Sequence, residues 1–208
     1  QNPQCGIRFP LMNPSGVEIH CPACRTSQVK VDDTQVPGLP DSAPNPAFMS
    51  NVEVLLDNIR SAENTGSILR TCDALGIRRV HRCGLTPPFQ GSKVAKTALG
   101  TQKFIEEVYW PDSLDACVYL KREGYQILIL ELWQGAETIS SAQVENGQKI
   151  LLVLGSENAE VDPALRPLAR QVLYLPMAGT KNSLNVAAAF AAAGYLLNWI
   201  YRQKTVSD

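Results

Sequence analysis

Apolar residues along this chain are concentrated in short runs that are separated by turn residues. Residues 126–132 and 149–154 form continuous apolar runs, which are typical of strands buried on both faces of a sheet. Shorter runs rich in β-forming residues predict four further strands, at residues 52–56, 79–82, 104–108 and 172–175.

Helical spacing occurs between these runs. Ile68, Cys72 and Leu75 share one face of a helix, and Gly76 is placed to end it. The same reasoning predicts helices at residues 65–75, 93–98, 113–123, 163–169 and 185–201. Because strands and helices alternate, the predicted fold class is α/β, with a mostly parallel sheet covered by helices on both faces.

The amino-terminal part of the chain differs from the rest. Residues 1–32 contain three of the six cysteines, and residues 33–50 are rich in proline with little apolar periodicity, as in a linker. The sequence therefore predicts three parts: a small cysteine-containing segment at 1–32, a linker at 33–50 and the main domain at 51–208.

Composition and charge narrow the possible functions. Hydrophobic residues make up 45% of the 208 residues, and the longest apolar run, at 186–197, is too short to span a membrane. The first residues lack the pattern of a secretory signal, so we expect a cytoplasmic protein with reduced thiols and no membrane partner. The net charge of −1 argues against a general nucleic-acid binder.

The charge is unevenly distributed along the chain, however. Residues 51–105 contain eight basic and four acidic side chains, whereas residues 106–208 contain eight and twelve. The first of these regions is suited to contact with a polyanion, and ordinary surface charge is the alternative explanation.

Two polar segments lie where a strand passes into a loop or helix. Asn64, Gly66 and Arg70 surround the start of a predicted helix, and a glycine-containing loop at such a position can bind an anion or ligand. Gly155 and Glu157 follow a buried strand, at the edge where open α/β sheets bind ligands. The alternatives are an ordinary turn with a surface arginine and a loop that happens to carry a carboxylate.

A third polar segment precedes the last predicted helix. Ser183 and Asn185 lie on either side of Leu184. Either residue type can cap a helix, which is the alternative to a functional role. Two polar side chains are more than one cap requires.

Together these segments resemble the motifs of the SpoU/TrmH group of SPOUT RNA methyltransferases. The resemblance covers residues 51–201 and rests on three motifs in this order: Asn64-x-Gly66-x-x-x-Arg70, Gly155-x-Glu157 and Ser183-Leu184-Asn185-Val186. It implies a deep C-terminal trefoil knot and S-adenosylmethionine as the cofactor. It also implies a homodimer that methylates a ribose 2′-hydroxyl in tRNA or rRNA.

The resemblance also assigns roles by position. Cofactor contacts are implied for residues at or after the ends of strands, namely Leu132, Leu154, Gly155, Leu175, Met177 and Leu184. Catalytic and orienting roles are implied for Arg70, Asn64, Glu157, Ser183 and Asn185. Because a guanidinium stays protonated, we expect Arg70 to stabilise the developing alkoxide by charge-assisted hydrogen bonds. Asn64, Ser183 and Asn185 would orient the ribose or the knot loops, and Glu157 would fix that network.

One position departs from the family pattern. Family members usually have glycine near position 160, where this chain has Glu160. We therefore expect this loop to be shaped differently, with an effect on substrate choice or cofactor binding.

Other surfaces are assigned from charge and hydrophobicity. RNA contacts are predicted for a basic cluster of Arg78, Arg79, Arg82, Lys93 and Lys96. The last helix is apolar on more than one face, so it is buried either in the core or in the interface of a homodimer.

Two further functions are alternatives to methyl transfer. A catalytically inactive RNA-binding protein that keeps the fold remains an alternative, although the catalytic motif residues are retained. A nucleotide-binding oxidoreductase is disfavoured because no Gly-x-Gly-x-x-Gly follows a predicted strand.

The amino-terminal cysteines resemble a zinc ribbon that lacks one ligand. Cys5, Cys21 and Cys24 fit the pattern, but Asn2 stands where a fourth cysteine is expected. Since structural zinc sites usually have four ligands, His20 or a residue outside the chain would have to complete the site. A metal-free remnant of a ribbon is the alternative.

Overall fold

The computed structural model describes residues 5, 20–21, 23–27, 49–145, 147–156, 160–180 and 183–205, with side chains as far as residue 203. The chain divides into two compact units, residues 1–44 and 45–208. Two positions singled out in the sequence, Asn2 and Glu157, lie outside the described residues.

A seven-stranded sheet forms the centre of the larger unit. Its strands are β1 (Val52–Asp57), β2 (Arg79–Cys83), β3 (Glu106–Trp110), β4 (Gln126–Leu130), β5 (Glu137–Thr138), β6 (Ile150–Gly155) and β7 (Gln171–Tyr174). The strand order is β3-β2-β1-β6-β4-β7-β5, and neighbouring strands are parallel. The central strands β1 and β6 are buried along their whole length.

Helices cover both faces of this sheet, as predicted. They are α1 (Ala62–Leu75), α2 (Ser92–Ala98), α3 (Ser113–Arg122) and α4 (Val186–Thr205), with short 3₁₀ segments at Thr101–Lys103, Ile139–Ser141 and Pro163–Leu168. On one face, Val54 and Leu56 belong to a core that includes residues of α1, α2 and α4. On the other face, Leu55 belongs to a core with residues of α3 and of the last 3₁₀ segment. The alternation of β1 side chains between the two cores accounts for its uninterrupted burial.

The predicted strands and helices are present, with small differences at their ends. The strand predicted at 126–132 ends at Leu130, although the backbone N–H of Glu131 still donates to the carbonyl oxygen of Leu173 in β7 at 2.9 Å. β5 was not predicted, since two residues give no periodicity. None of the helices among the described residues is both long and apolar enough to cross a membrane.

Two local features fix the position of α1, which contains the first motif. Ser61 caps the helix by accepting a hydrogen bond from the backbone N–H of Asn64 at 3.1 Å. Gly66 allows α1 to lie directly against α2, because a Cβ atom there would be 2.8 Å from the carbonyl oxygen of Val94. The glycine of the first motif therefore serves helix packing.

Candidate active site

A cavity of about 560 Å³ opens at the carboxyl ends of β4, β6 and β7. Its lining includes all six residues for which cofactor contacts were predicted, Leu132, Leu154, Gly155, Leu175, Met177 and Leu184. A cavity of this size is suited to a ligand as large as a nucleoside derivative. Three loops that are distant in sequence meet here because the carboxyl ends of parallel strands share one edge of the sheet.

Three of the residues that line the cavity are apolar side chains that remain exposed. Leu132 is 51% exposed, Leu184 is 49% exposed and Met177 is 37% exposed. Exposed apolar side chains that surround a cavity are typical of a site that encloses the flat faces of a ligand.

Gly155 ends β6 at the closest approach of two backbone segments. A Cβ atom at this position would lie 2.4 Å from the backbone nitrogen of Val161 and 2.5 Å from the carbonyl carbon of Glu160. The loop is closed by paired backbone hydrogen bonds between Ser156 and Glu160, at 3.2 and 2.9 Å. Only glycine fits at position 155, which explains physically why the second motif requires it.

Glu160 adopts the left-handed backbone conformation, with a φ of 61°. Glycine adopts this conformation without steric cost, whereas other residues do so rarely. Position 160 therefore has a backbone conformation that favours the glycine expected from the family pattern. Glu160 adopts this conformation at a steric cost.

Asn185 combines the two roles considered for the third motif. Its Oδ1 accepts hydrogen bonds from the backbone N–H groups of Ala187 and Ala188, at 3.0 and 3.3 Å, and so caps α4. Its Nδ2 donates to Oδ1 of Asn64 at 2.9 Å. The start of α4 is thereby tied to the start of α1, and Ser183 and Asn185 both line the cavity.

Glu131 also lines the cavity and was missed in the sequence. It accepts hydrogen bonds from the backbone N–H groups of Leu132, at 2.9 Å, and Val161, at 3.3 Å. Burial raises the pKa of Glu131, these two hydrogen bonds lower it, and the charge of Glu160 adds to the rise. The carboxylate interrupting the apolar run at residues 126–132 was the available signal.

Arg70 is exposed on α1 and does not line the cavity. Its guanidinium makes no hydrogen bond or ion pair with the residues that the structure describes. Asn64 is also absent from the lining, but it reaches the site through its hydrogen bond with Asn185. Within one chain, therefore, the structure joins Asn64, Ser183 and Asn185 to the cavity and leaves Arg70 outside it.

Comparison with known proteins identifies the family. The sequence profile of the SpoU rRNA Methylase family matches residues 51–195. The chain belongs to this family. The matched residues include all three motifs and exclude the cysteines of the smaller unit.

Among relatives of this SpoU family chain is a tRNA (guanosine(18)-2′-O)-methyltransferase of Thermus thermophilus, 30% identical over 68% of this chain and 71% of the relative. A 23S rRNA (guanosine(2553)-2′-O)-methyltransferase of Bacillus subtilis is 32% identical over 69% of this chain and 56% of the relative. The SpoU methyltransferase AviRb of Streptomyces viridochromogenes, solved in complex with AdoMet, has a TM-score of 0.63 and is 25% identical, over 74% of this chain and 60% of that chain.

The cations predicted to contact RNA in this SpoU family chain differ in their availability. Arg78 pairs with Asp73 at 2.7 Å, and Arg79 pairs with Glu53 at 3.0 Å and Glu106 at 2.9 Å. Arg82 pairs with Glu107 and lies 4.2 Å above the ring of Tyr109. By contrast, Lys93 and Lys96 are exposed on α2. The arginines are partly neutralised by these acids, and Lys93 lies near Glu63, whose pKa it lowers, so Lys96 is the strongest candidate of the cluster.

Proposed function

We propose that this chain transfers a methyl group from S-adenosylmethionine to a ribose 2′-hydroxyl in tRNA or rRNA. The observation that carries the proposal is the single cavity lined by the six residues for which cofactor contacts were predicted. The relatives named above act on different RNAs, one on tRNA and one on 23S rRNA, so the proposal stays at the level of these two classes.

The residues of the cavity fit this cofactor in three respects. Leu132, Met177 and Leu184 offer apolar contacts for the faces of an adenine ring. Gly155 contributes only backbone atoms to the lining of the cavity, so a ligand there meets the backbone directly. Glu131 contributes a carboxylate that has no cationic partner among the described residues. This carboxylate lies beside a site for a positively charged ligand. When bound, S-adenosylmethionine supplies an electrophilic methyl group on a sulfonium.

The side chains of the motifs then act on the acceptor. Arg70 stabilises the developing alkoxide and the neighbouring phosphate, since a guanidinium donates charge-assisted hydrogen bonds to oxyanions. The pair formed by Asn185 and Asn64 holds the starts of α4 and α1 together and orients the ribose, with Ser183 beside it. Glu157 fixes this network.

The same proposal includes the trefoil knot and the homodimer. In support of the knot, the segments that follow β4, β6 and β7 all line one cavity. In support of the dimer, Tyr195, Leu196 and Trp199 of α4 are exposed by 52%, 41% and 59%, whereas Phe190 and Leu197 of the same helix lie in the core. Sedimentation of the purified chain at equilibrium measures whether the mass is that of a dimer.

The proposal is tested by separating cofactor binding from methyl transfer. Unmodified tRNA and rRNA fragments are incubated with radiolabelled S-adenosylmethionine, and calorimetry measures the affinity for the cofactor. We expect Arg70→Ala to abolish transfer while the affinity changes less than about twofold, because Arg70 lies outside the cavity. Arg122→Ala, at an exposed arginine of α3, is the matched control and should retain transfer.

Two results would contradict the proposal. Near-normal transfer by Arg70→Ala would remove its assigned role. A calorimetric blank with S-adenosylmethionine, in a chain that still binds RNA, would favour the inactive RNA-binding alternative instead.

A further inference from the structure

The smaller unit contains a group of sulfur atoms that methyl transfer does not use. Sγ of Cys5 lies 3.7 Å from Sγ of Cys21, and the Sγ atoms of Cys5, Cys21 and Cys24 all lie within 4.8 Å of one another. Cys21 is 1% exposed, and the other two cysteines are partly buried. Three thiols from two separate segments of the chain thus converge on one point.

A short turn places two of these sulfurs together. The backbone N–H of Cys21 donates to the carbonyl oxygen of Thr26 at 2.9 Å, and the N–H of Arg25 donates to the carbonyl oxygen of Cys21 at 2.9 Å. Arg25 takes the left-handed conformation, with a φ of 60°, and His20 and Ser27 form an antiparallel bridge across the base of the turn. This backbone holds Cys21 and Cys24 on the same side, facing Cys5.

The separation of two of the sulfurs matches that of thiolates around a tetrahedral ion. With zinc–sulfur distances of about 2.3 Å, two thiolates at tetrahedral zinc are separated by about 3.8 Å. The separation of 3.7 Å between Cys5 and Cys21 is close to this value. A disulfide would join two of the three sulfurs and leave the third without a role.

We propose that Cys5, Cys21 and Cys24 bind one zinc ion through their three sulfur atoms. Among the described residues no other histidine, cysteine, aspartate or glutamate belongs to the group, so His20 does not complete the site. The fourth ligand is therefore water or a group outside the described residues.

The ion would act as a crosslink within the smaller unit. It joins Cys5 to the turn at Cys21 and Cys24. This unit has few apolar residues that could hold the two segments together without a metal. Metal binding of this kind contributes directly to folding, because the site does not exist in the unfolded chain.

The test measures metal content in the full-length chain. The protein is purified from zinc-supplemented medium with a thiol reductant and no chelator, and its metals are measured by mass spectrometry. We expect about one zinc ion per chain, and almost none in Cys21→Ser and Cys5→Ser. The controls are Cys72→Ser and Cys117→Ser, because these thiols lie in the core of the larger unit and burial raises their pKa values.

Cobalt substitution tests the number of sulfur ligands independently of zinc content. Cobalt(II) bound by thiolates absorbs in the near ultraviolet by charge transfer, and the intensity increases with the number of thiolates. The intensity for the unmodified chain should correspond to three thiolates and should fall in each of the three variants Cys5→Ser, Cys21→Ser and Cys24→Ser. Far-ultraviolet circular dichroism and binding of S-adenosylmethionine check that each variant retains a folded larger unit.

Three outcomes would overturn the proposal. They are a metal-free chain with six titratable thiols, iron in place of zinc, and zinc retained in full by Cys21→Ser. None of these results bears on methyl transfer, so the zinc site and the proposed function fail separately.

Discussion

Two glutamates lie at opposite ends of the sheet, Glu53 buried and Glu131 half-buried, and their pKa values shift in opposite directions. Glu53 lies near the amino end of β1, and Glu131 lies just past the carboxyl end of β4. Burial tends to raise both pKa values. For Glu53 the hydrogen bonds and charges of its partners outweigh burial and lower the pKa, whereas for Glu131 the pKa stays raised.

The partners of Glu53 form a closed polar cluster. Tyr125 donates to its Oε1 at 2.6 Å, Arg79 donates to the same atom at 3.0 Å, and Nε2 of His81 lies 2.6 Å from its Oε2. Nε1 of Trp110 donates to Nδ1 of His81 at 3.0 Å. Since an indole can only donate, Nδ1 of His81 is the acceptor and Nε2 carries the proton that is donated to Glu53.

The two glutamates therefore have different roles: Glu53 stabilises the fold, and Glu131 belongs to the candidate active site. At the amino end both oxygens of Glu53 are bound by side chains, so the carboxylate is a structural element. At the carboxyl end, Glu131 has backbone N–H partners and lines a cavity. A buried charge left without an opposite charge costs stability, and such groups are concentrated at sites that bind ligands.

The largest effect is expected from adding a side chain at Gly155, at the carboxyl end of β6. In Gly155→Ala the new Cβ atom would lie 2.4 Å from the nitrogen of Val161, so the two backbone segments must separate. We expect a loss of about 3 kcal/mol in the free energy of unfolding. The affinity for S-adenosylmethionine should fall about 100-fold or more.

Urea unfolding and calorimetry measure these two changes. Gly179→Ala is the matched control, because no atom lies within 4 Å of a Cβ atom at that position and Gly179 belongs to another loop of the cavity, the one after β7. If both variants behaved alike, the close approach at Gly155 would not be a requirement of the site.

The second prediction concerns the charge at Glu131. In Glu131→Gln the affinity for S-adenosylmethionine should fall about ten- to one-hundred-fold, the usual value for losing a hydrogen bond to a charged group. The folded state disfavours the ionised form of Glu131, so the variant should be no less stable than the unmodified chain at neutral pH.

The pH dependence gives this prediction a second readout. Because the pKa of Glu131 is raised in the folded chain, cofactor affinity should decrease as the pH falls through that raised pKa, and Glu131→Gln should lack this decrease. Glu123→Gln, at an exposed position after α3, is the control. If Glu131→Gln raised the free energy of unfolding and left the affinity for S-adenosylmethionine unchanged, Glu131 would not face the ligand.

The third prediction tests the amino end. Tyr125→Phe removes one hydrogen bond to the carboxylate of Glu53, which should cost about 1.5 kcal/mol of unfolding free energy and leave cofactor affinity unchanged. Tyr119→Phe, at an exposed tyrosine of α3, is the control.

In acid, the stabilising effect of Glu53 should weaken, as should the cofactor affinity that depends on Glu131. A lowered pKa at Glu53 stabilises the folded chain above the ordinary glutamate pKa of 4.5, and this stabilisation is lost as the pH falls through the lower folded value. The difference between the unmodified chain and Tyr125→Phe should therefore shrink in acid. A constant difference from neutral pH to acid would mean that the hydrogen bond does not depend on the charge of Glu53.

Much of the carboxyl end was predictable from sequence, whereas the amino-end cluster was not. The apolar runs gave the strands, and the resemblance to the SpoU/TrmH group gave the six cofactor-contact residues that line the cavity. The partners of Glu53 are 26 to 72 residues away, and no spacing in the sequence relates them. The outward position of Arg70 was also missed, since a motif specifies a residue type and gives no direction for its side chain.

The smallest effect is expected at Glu160, where charge and backbone conformation must be separated. Glu160→Gly and Glu160→Ala both remove the carboxylate that raises the pKa of Glu131, so any change they share reports on charge. They differ in backbone freedom, because φ is 61° at this position and glycine adopts that conformation without steric cost. We expect Glu160→Gly to unfold with a free energy about 0.5–1 kcal/mol higher than that of Glu160→Ala, measured by urea denaturation of both variants. Equal stabilities would mean that residue 160 does not hold the left-handed conformation. There would then be no steric reason for the glycine that the family pattern has at this position.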